Sequence, residues 1–212
     1  MITQDNNNLE IKMIDSITET GVGSIIENGI EISIDSIINE ELLKEVPVVK
    51  SVVAISRGVL GVRDYLFLKK IIGFLTEIEK GDLEKRKKFV EEIKNNDKVD
   101  EIGSKLIEII DKSIGEYKAR IIGRLFVVFL KNEEVTQEDF FRLSEIVTSA
   151  YESDLKYFLK TKENIIGETG DEVEHLLTVG LYERKKNAFG GTVIEAKKPT
   201  LSSHGRIFKK IL

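Results

Sequence analysis

The chain of 212 residues contains no cysteine, two prolines and two histidines. Without cysteine it has no disulfide framework, no zinc site with thiolate ligands and no cysteine nucleophile, and this absence fits a reducing compartment. The two histidines, His175 and His204, lack a second histidine at helical spacing, so few metal or proton-transfer sites can be assembled from them. We therefore expect no metal and no cofactor.

Long apolar runs are also missing. The most apolar stretch, residues 46–75, is interrupted by charged side chains, so no run reaches the roughly 18 apolar residues of a membrane-spanning helix. The first residues, MITQDNNNLEIK, contain no basic region followed by an apolar one, which predicts that there is no signal peptide. We expect a cytoplasmic protein.

The glycine clusters and His175 do not form a familiar catalytic motif. Gly21-Val22-Gly23 lacks the third glycine of a dinucleotide loop, and Gly58-Val59-Leu60-Gly61 lacks the Lys-Ser/Thr that follows in a P-loop. No G-x-S-x-G sequence occurs. A metal or proton-transfer role for His175 beside Glu172 and Glu174 is less favoured than a surface or packing role. We predict that the protein is not an enzyme.

Helical periodicity dominates residues 46–160. Pro47 is placed to begin a helix over 47–62, because proline is tolerated in a first helical turn. Residues 116–132 are apolar nearly all round from Ile121 to Leu130, which predicts the central buried helix. The sequence thus predicts a mainly α fold with a helical bundle-like core over 46–160.

Residues 1–45 are predicted to be an irregular or small N-terminal element. Residues 30–35 alternate apolar and polar side chains like a strand, and Asn28-Gly29 is a typical hairpin turn. Helices separated by small-residue hinges fit the same segment equally well, so both interpretations stay open.

Residues 161–212 are predicted to form a separate winged-helix-like α+β module. A short helix from Asp171 stops at Gly180, strands follow over 181–185 and 191–196, and an amphipathic helix with a serine cap closes the chain. Helix, two-stranded wing and closing helix is the order typical of a winged helix.

The sequence of this module resembles a recurrent ending of bacterial winged-helix proteins. Leu177-Thr178-Val179-Gly180-Leu181, a hairpin, and Leu201-Ser202-Ser203-His204-Gly205-Arg206 follow the pattern leucine, Gly-Leu, wing, Leu-Thr-x-x-Gly-Arg. The same ending is found in Abi-alpha-like proteins, which are associated with phage resistance. Ser202 replaces the usual threonine, and His204 replaces an apolar residue. The resemblance covers the last quarter of the chain and implies a winged-helix fold and a role in phage–host conflict.

Charge is distributed unevenly along the chain. Residues 1–45 carry ten acidic side chains and two basic ones, whereas residues 181–212 carry eight basic and two acidic ones. Such polarity indicates an anionic partner for the basic segment, or docking between the two ends. The candidate residues for nucleic-acid or partner contact are Arg184, Lys185, Lys186, Lys197, Lys198 and Arg206.

Acidic residues in the helix that would read bases, Asp171, Glu172 and Glu174, argue against sequence-specific DNA recognition. We therefore favour a non-enzymatic helical interaction protein of bacterial or phage origin, with a docking module that binds a protein partner or a second copy. A DNA-binding regulator that uses the basic wing is one alternative.

A second alternative is a membrane-acting effector. Residues 46–79 can form amphipathic helices that lie on a membrane, although two packed core helices are the favoured interpretation. The residues proposed for this membrane or partner surface are Val53, Arg57, Leu60 and Arg63.

Overall fold

The computed structural model describes residues 8–22, 46–56, 60–132, 134–161, 170–184, 186–189, 192–195 and 198–211. The strand and turn considered for residues 28–35 lie outside these ranges. The chain divides into two compact units, Met1–Glu133 and Glu134–Leu212. Residues 134–160, which the sequence assigned to the helical core, therefore share a unit with the C-terminal module. The fold is mainly helical, as predicted, with short antiparallel strands near the C-terminus.

The regular secondary structure in the described part of the N-terminal unit consists of helices. Its helices are α1 (Leu9–Ser16), α2 (Pro47–Ile55), α3 (Val62–Glu79), α4 (Leu83–Asn95), α5 (Val99–Lys112) and α6 (Gly115–Lys131). Pro47 occupies the first turn of α2, as predicted, but the helix ends at Ile55 instead of continuing to residue 62.

Helices α3 and α6 pack closely against each other at the centre of this unit. A Cβ on Gly123 would lie 2.7 Å from the carbonyl oxygen of Phe74, so only glycine allows this approach of the two backbones. The rings of Phe74, Phe89 and Phe126 meet edge to face around this contact. The apolar side chains of α6 are buried from Ile121 to Phe126, but Arg124 and residues 127–130 are only half-buried, so the predicted burial holds for part of the segment.

An ionic cluster around the buried Glu77 joins the same two helices. The carboxylate of Glu77, 4% exposed, receives Arg120 Nη1 and Arg124 Nε at 3.2 Å and Lys80 Nζ at 3.0 Å. Burial alone would raise the pKa of Glu77, but hydrogen bonds from Lys80 and Arg124 outweigh it and hold the pKa below its ordinary value. Glu77 therefore joins α3 to α6 as a carboxylate.

Arg86 of α4 is a second buried charge, 2% exposed. Its Nη1 donates to the carbonyl oxygens of Ile17 at 2.8 Å and Glu19 at 2.9 Å, just beyond the end of α1. These carbonyls lie where a helix end leaves acceptors without partners. Arg86 thus attaches α4 to the end of α1.

The C-terminal unit contains helices and two strand pairs. Its elements are α7 (Gln137–Ser149), α8 (Glu152–Lys160), α9 (Asp171–Thr178), β1 (Tyr182–Glu183), β2 (Lys186–Phe189), β3 (Thr192–Glu195), β4 (Thr200–Leu201) and α10 (Ser203–Lys209). Helix α7 begins with a capping box: Asp139 N–H donates to the Thr136 hydroxyl at 3.1 Å, and Thr136 N–H donates to the Asp139 carboxylate at 3.0 Å. The aspartate therefore replaces the usual glutamate without loss of the motif.

Strands β1 to β4 follow one another as the two arms of a hairpin. β1 pairs with β4 (Tyr182 opposite Leu201), and β2 pairs with β3 (Lys186 opposite Glu195), both antiparallel. Two residues separate β1 from β2, and four separate β3 from β4. The two strand pairs are therefore distinct. Phe158, Tyr182 and Phe208 bring their rings together beneath the base of this hairpin.

Two parts of the recurrent ending meet at the start of α10: the Gly180-Leu181 junction and the segment over residues 201–206. The Ser202 hydroxyl caps α10 by accepting from Gly205 N–H at 2.9 Å, and it donates to the Gly180 carbonyl at 2.6 Å. A Cβ on Gly205 would lie 2.1 Å from the Leu181 carbonyl oxygen. Gly180 has a φ of 86°, which ends α9 in the conformation that glycine adopts most readily. These residues hold α9, β1 and α10 together.

Candidate functional site

The predicted contact residues of the C-terminal unit fall into two groups. Arg184 forms an ion pair with Glu174 of α9, and Arg206 Nη1 donates to the Leu201 carbonyl at 2.8 Å. Lys198 is exposed, and Lys186 lies in β2 opposite Glu195. Lys185 and Lys197 lie outside the described residues. The arginines are therefore engaged within the unit, and the lysines on and beside the hairpin remain the candidates for contact.

The other basic side chains of this segment also have partners inside the unit. Lys209 Nζ donates to the carbonyl oxygens of Phe158 and Thr161 at the end of α8, and it lies 4.6 Å from the Phe158 ring centroid. Lys210 Nζ lies 3.9 Å from the Glu134 carboxylate. A cation at a helix C-terminus offsets the negative end of the helix dipole. Part of the positive charge counted in the sequence thus stabilises the unit's own structure.

Helix α9 presents the opposite charge to solvent. Asp171, Glu172 and Glu174 are exposed, whereas Val173 and Leu176 are buried. The three carboxylates occupy the first turn, where the helix dipole favours negative charge. Helix α9 is therefore acidic on its surface, as the sequence indicated.

His175, on the same helix, contacts Asp154 of α8. The distance from His175 Nδ1 to Asp154 Oδ2 is 2.6 Å, the Asp154 side chain is 7% exposed, and the Ser153 hydroxyl donates to Asp154 Oδ1 at 3.0 Å. The Tyr151 ring lies 4.6 Å from the imidazole. The flanking Glu172 and Glu174, considered from the sequence, are not the partners of His175. Helical spacing gives no signal for Asp154, because it lies 21 residues earlier in the chain.

Metal-binding geometry does not arise from these groups. In the part of the chain that the structure describes, no three histidine, aspartate or glutamate side chains are arranged to hold a metal ion. His204 Nε2 lies 3.8 Å from Asp139, the residue that caps α7. Hydrogen bonds from Thr136 keep the pKa of Asp139 below its ordinary value. Both histidine–carboxylate pairs thus connect helices within the C-terminal unit.

The residues proposed for a membrane or partner surface are separated by their exposure. Val53 and Leu60 are half-buried, Arg63 is exposed, and Arg57 lies outside the described ranges. Three apolar side chains near them are unusually exposed: Ile55, Val62 and Leu66. None of the helices in the described ranges has both the length and the apolarity of a transmembrane span.

An open cleft of about 430 Å³ lies between α1, α3 and α5 in the N-terminal unit. Arg63 and Phe67 line it from α3, and Ser104 and Ile107 from α5. Sequence analysis selected Arg63 but did not find the cleft, because its walls come from segments that are about 40 residues or more apart.

Comparisons with family models, curated proteins and solved structures found no match to this chain. The resemblance of the C-terminal quarter to Abi-alpha-like proteins therefore stays a prediction.

Proposed function

We propose that this chain is a non-enzymatic interaction protein whose C-terminal unit is a winged-helix-like module that docks onto a basic protein surface. The order α9, hairpin, α10 supports the winged-helix interpretation. The exposed carboxylates on the first turn of α9 support docking onto a basic protein surface, because they repel nucleic-acid phosphates and attract basic side chains.

The state of the basic residues supports the same choice. Arg184 neutralises Glu174, and Arg206 and Lys209 bind backbone carbonyls of their own unit. Asp171 and Glu172 are then the exposed charges of α9 left for a partner. Exposed charges at the edge of a protein interface mainly accelerate association and select the partner.

Site-specific photocrosslinking in cells that express the chain tests this proposal. A photoreactive amino acid replaces Glu172 in one variant and the exposed Glu91 of α4 in a control. A discrete protein adduct is expected from position 172 alone, and Asp171→Asn should reduce its yield. Equal adducts from both positions, or an unchanged yield with Asp171→Asn, would contradict docking through α9.

The DNA-binding alternative is decided by a separate measurement. A short mixed-sequence duplex is titrated with the protein in fluorescence anisotropy at increasing salt. Our proposal predicts no saturable binding. Binding that falls steeply with salt and disappears when Lys185, Lys186, Lys197 and Lys198 become alanine would instead establish a DNA-binding regulator.

A membrane-acting function is the second candidate, and the exposed Ile55, Val62 and Leu66 favour it. Dye release from anionic liposomes tests it. Val62→Glu should abolish release, because it places a carboxylate on the exposed apolar surface, at a side chain that is 73% exposed. Glu91→Gln is the matched control. No release by the unaltered protein would exclude this function.

The role in phage–host conflict belongs to the same proposal and is supported by the resemblance alone. It predicts lower phage plating efficiency on cells that carry the gene than on cells without it. Removing the exposed carboxylates with Asp171→Asn and Glu172→Gln should restore plating if docking through α9 mediates the effect.

A further inference from the structure

We propose that the cleft between α1, α3 and α5 binds a small organic cation, an amine or guanidinium on an apolar body. Its volume of about 430 Å³ is that of a small-molecule site. This inference concerns the N-terminal unit and does not depend on the docking proposed for the C-terminal unit.

Part of the lining of the cleft is apolar. Leu9, Phe67 and Ile107 line it from three different helices, and each is half-buried. An apolar ligand body that covers these side chains removes hydrocarbon surface from water on both partners. The Phe67 ring already has the ammonium of Lys70 at 6.0 Å from its centroid, so it is placed to contact positive charge.

Four carboxylates also line the cleft. Glu108 pairs with Lys112 at 2.5 Å and Asp111 with Lys70 at 3.5 Å, so both are compensated by neighbouring lysines. The other two lining carboxylates are those of Glu10 and Asp64.

Glu10 and Asp64 have weaker interactions. Glu10 accepts from the Ser104 hydroxyl at 3.4 Å, and Asp64 accepts from Gly61 N–H at 3.1 Å. Within the described residues neither carboxylate has a basic side chain as partner. Two negative charges that no basic side chain of the described residues neutralises, beside apolar lining residues, select a ligand that is both cationic and apolar.

Arg63 marks one place where a cation binds. Its guanidinium lies 3.8 Å from Asp111, and its side chain is 89% exposed. An exposed pair of this length contributes little stability. A ligand cation can therefore replace Arg63 beside Asp111, whereas an anionic ligand would be repelled by Glu10 and Asp64.

Titration of the full chain with phenethylamine, followed by ligand-observed NMR at low salt, tests the proposal. The expected dissociation constant is about 1 mM, and added salt should weaken binding. The neutral analogue 2-phenylethanol is the matched probe and should bind several-fold more weakly. Equal binding of the two probes, or no binding of the amine at millimolar concentration, would overturn the proposal.

Variants locate the binding and give effects of opposite sign. Glu10→Gln combined with Asp64→Asn should weaken amine binding about tenfold, because both charge-assisted contacts are lost. Arg63→Ala should strengthen it about threefold by removing the competing cation. Glu84→Gln with Glu91→Gln, two exposed residues of α4, should leave it unchanged.

Circular dichroism establishes that each variant is folded before titration. If the Glu10/Asp64 variant misfolds, Arg63→Ala still decides the question, because that side chain is almost fully exposed. Unchanged affinity in the folded double variant, or weaker binding with Arg63→Ala, would refute the assignment.

Discussion

Charged side chains enter the core of the N-terminal unit, whereas those of the C-terminal unit stay mainly at its surface. Among the described residues, Glu77, Arg86 and Lys118 are the buried charged side chains of the first unit, and Asp154 is the buried charged side chain of the second. Glu77 and Arg86 each contact segments distant in sequence, so the helices of the first unit are joined partly by charge.

The C-terminal unit is held together by other means. Its basic side chains reach carbonyl groups at its surface, and the junction of α9, β1 and α10 depends on the hydroxyl of Ser202 and on the absence of a side chain at Gly205. The charge pattern of a sequence therefore does not show whether a charged side chain contributes to binding or to folding. Stability measurements on each unit separate these roles.

The largest effect is expected from Gly205→Ala. The added Cβ would lie 2.1 Å from the Leu181 carbonyl oxygen, so α10 must move away from β1, at a cost of about 3 kcal/mol. Hydrogen-exchange mass spectrometry should show faster exchange across α9, β1 and α10. Ser203→Ala, at an exposed position of α10, is the control and should change stability by less than about 0.5 kcal/mol. Unchanged exchange in Gly205→Ala would contradict close backbone packing here.

Glu77→Gln should have the next largest effect, about 2 kcal/mol at neutral pH, because it removes the buried carboxylate that Lys80, Arg120 and Arg124 share. The folded-state pKa of Glu77 lies below the ordinary value of 4.5. Its contribution is therefore fully present above about pH 4.5 and is lost as the pH falls through the folded-state pKa. Urea denaturation at several pH values should show wild type and variant converging in acid.

The control for that experiment is Glu84→Gln, which alters the exposed pair with Lys87 and should cost less than about 0.5 kcal/mol. A difference between wild type and Glu77→Gln that persists unchanged well below pH 4.5 would show that packing, not charge, explains the effect.

Sequence reasoning succeeded where a structure depends on neighbouring residues. Helical periodicity and caps predicted helices in both units, including those that begin at Pro47 and after Ser202, because a cap joins residues only three apart. The acidic surface of α9 was also predicted. Because Val173 and Leu176 are buried, the carboxylates at positions 171, 172 and 174 face solvent.

Distant contacts could not be predicted in this way. Asp154 meets His175 because α8 and α9 pack together, and no spacing rule connects residues 21 positions apart. Arg86 did leave a signal: it lies three residues after Leu83 and three before Phe89, on the buried stripe of α4. A charge on such a stripe indicates a buried partner, but the carbonyls of Ile17 and Glu19 become evident only in the folded chain.

Asp154→Asn should have the smallest effect, about 1 kcal/mol, and it tests the comparison directly. The amide oxygen can still accept a hydrogen bond from Ser153, and the amide nitrogen can donate to His175, so neither neighbour loses every partner. Urea denaturation followed by hydrogen exchange across α8 and α9 gives the measurement, with the exposed Glu152→Gln of α8 as control. A loss as large as that from Glu77→Gln would mean that both units depend equally on a buried charge, and the contrast between them would no longer hold.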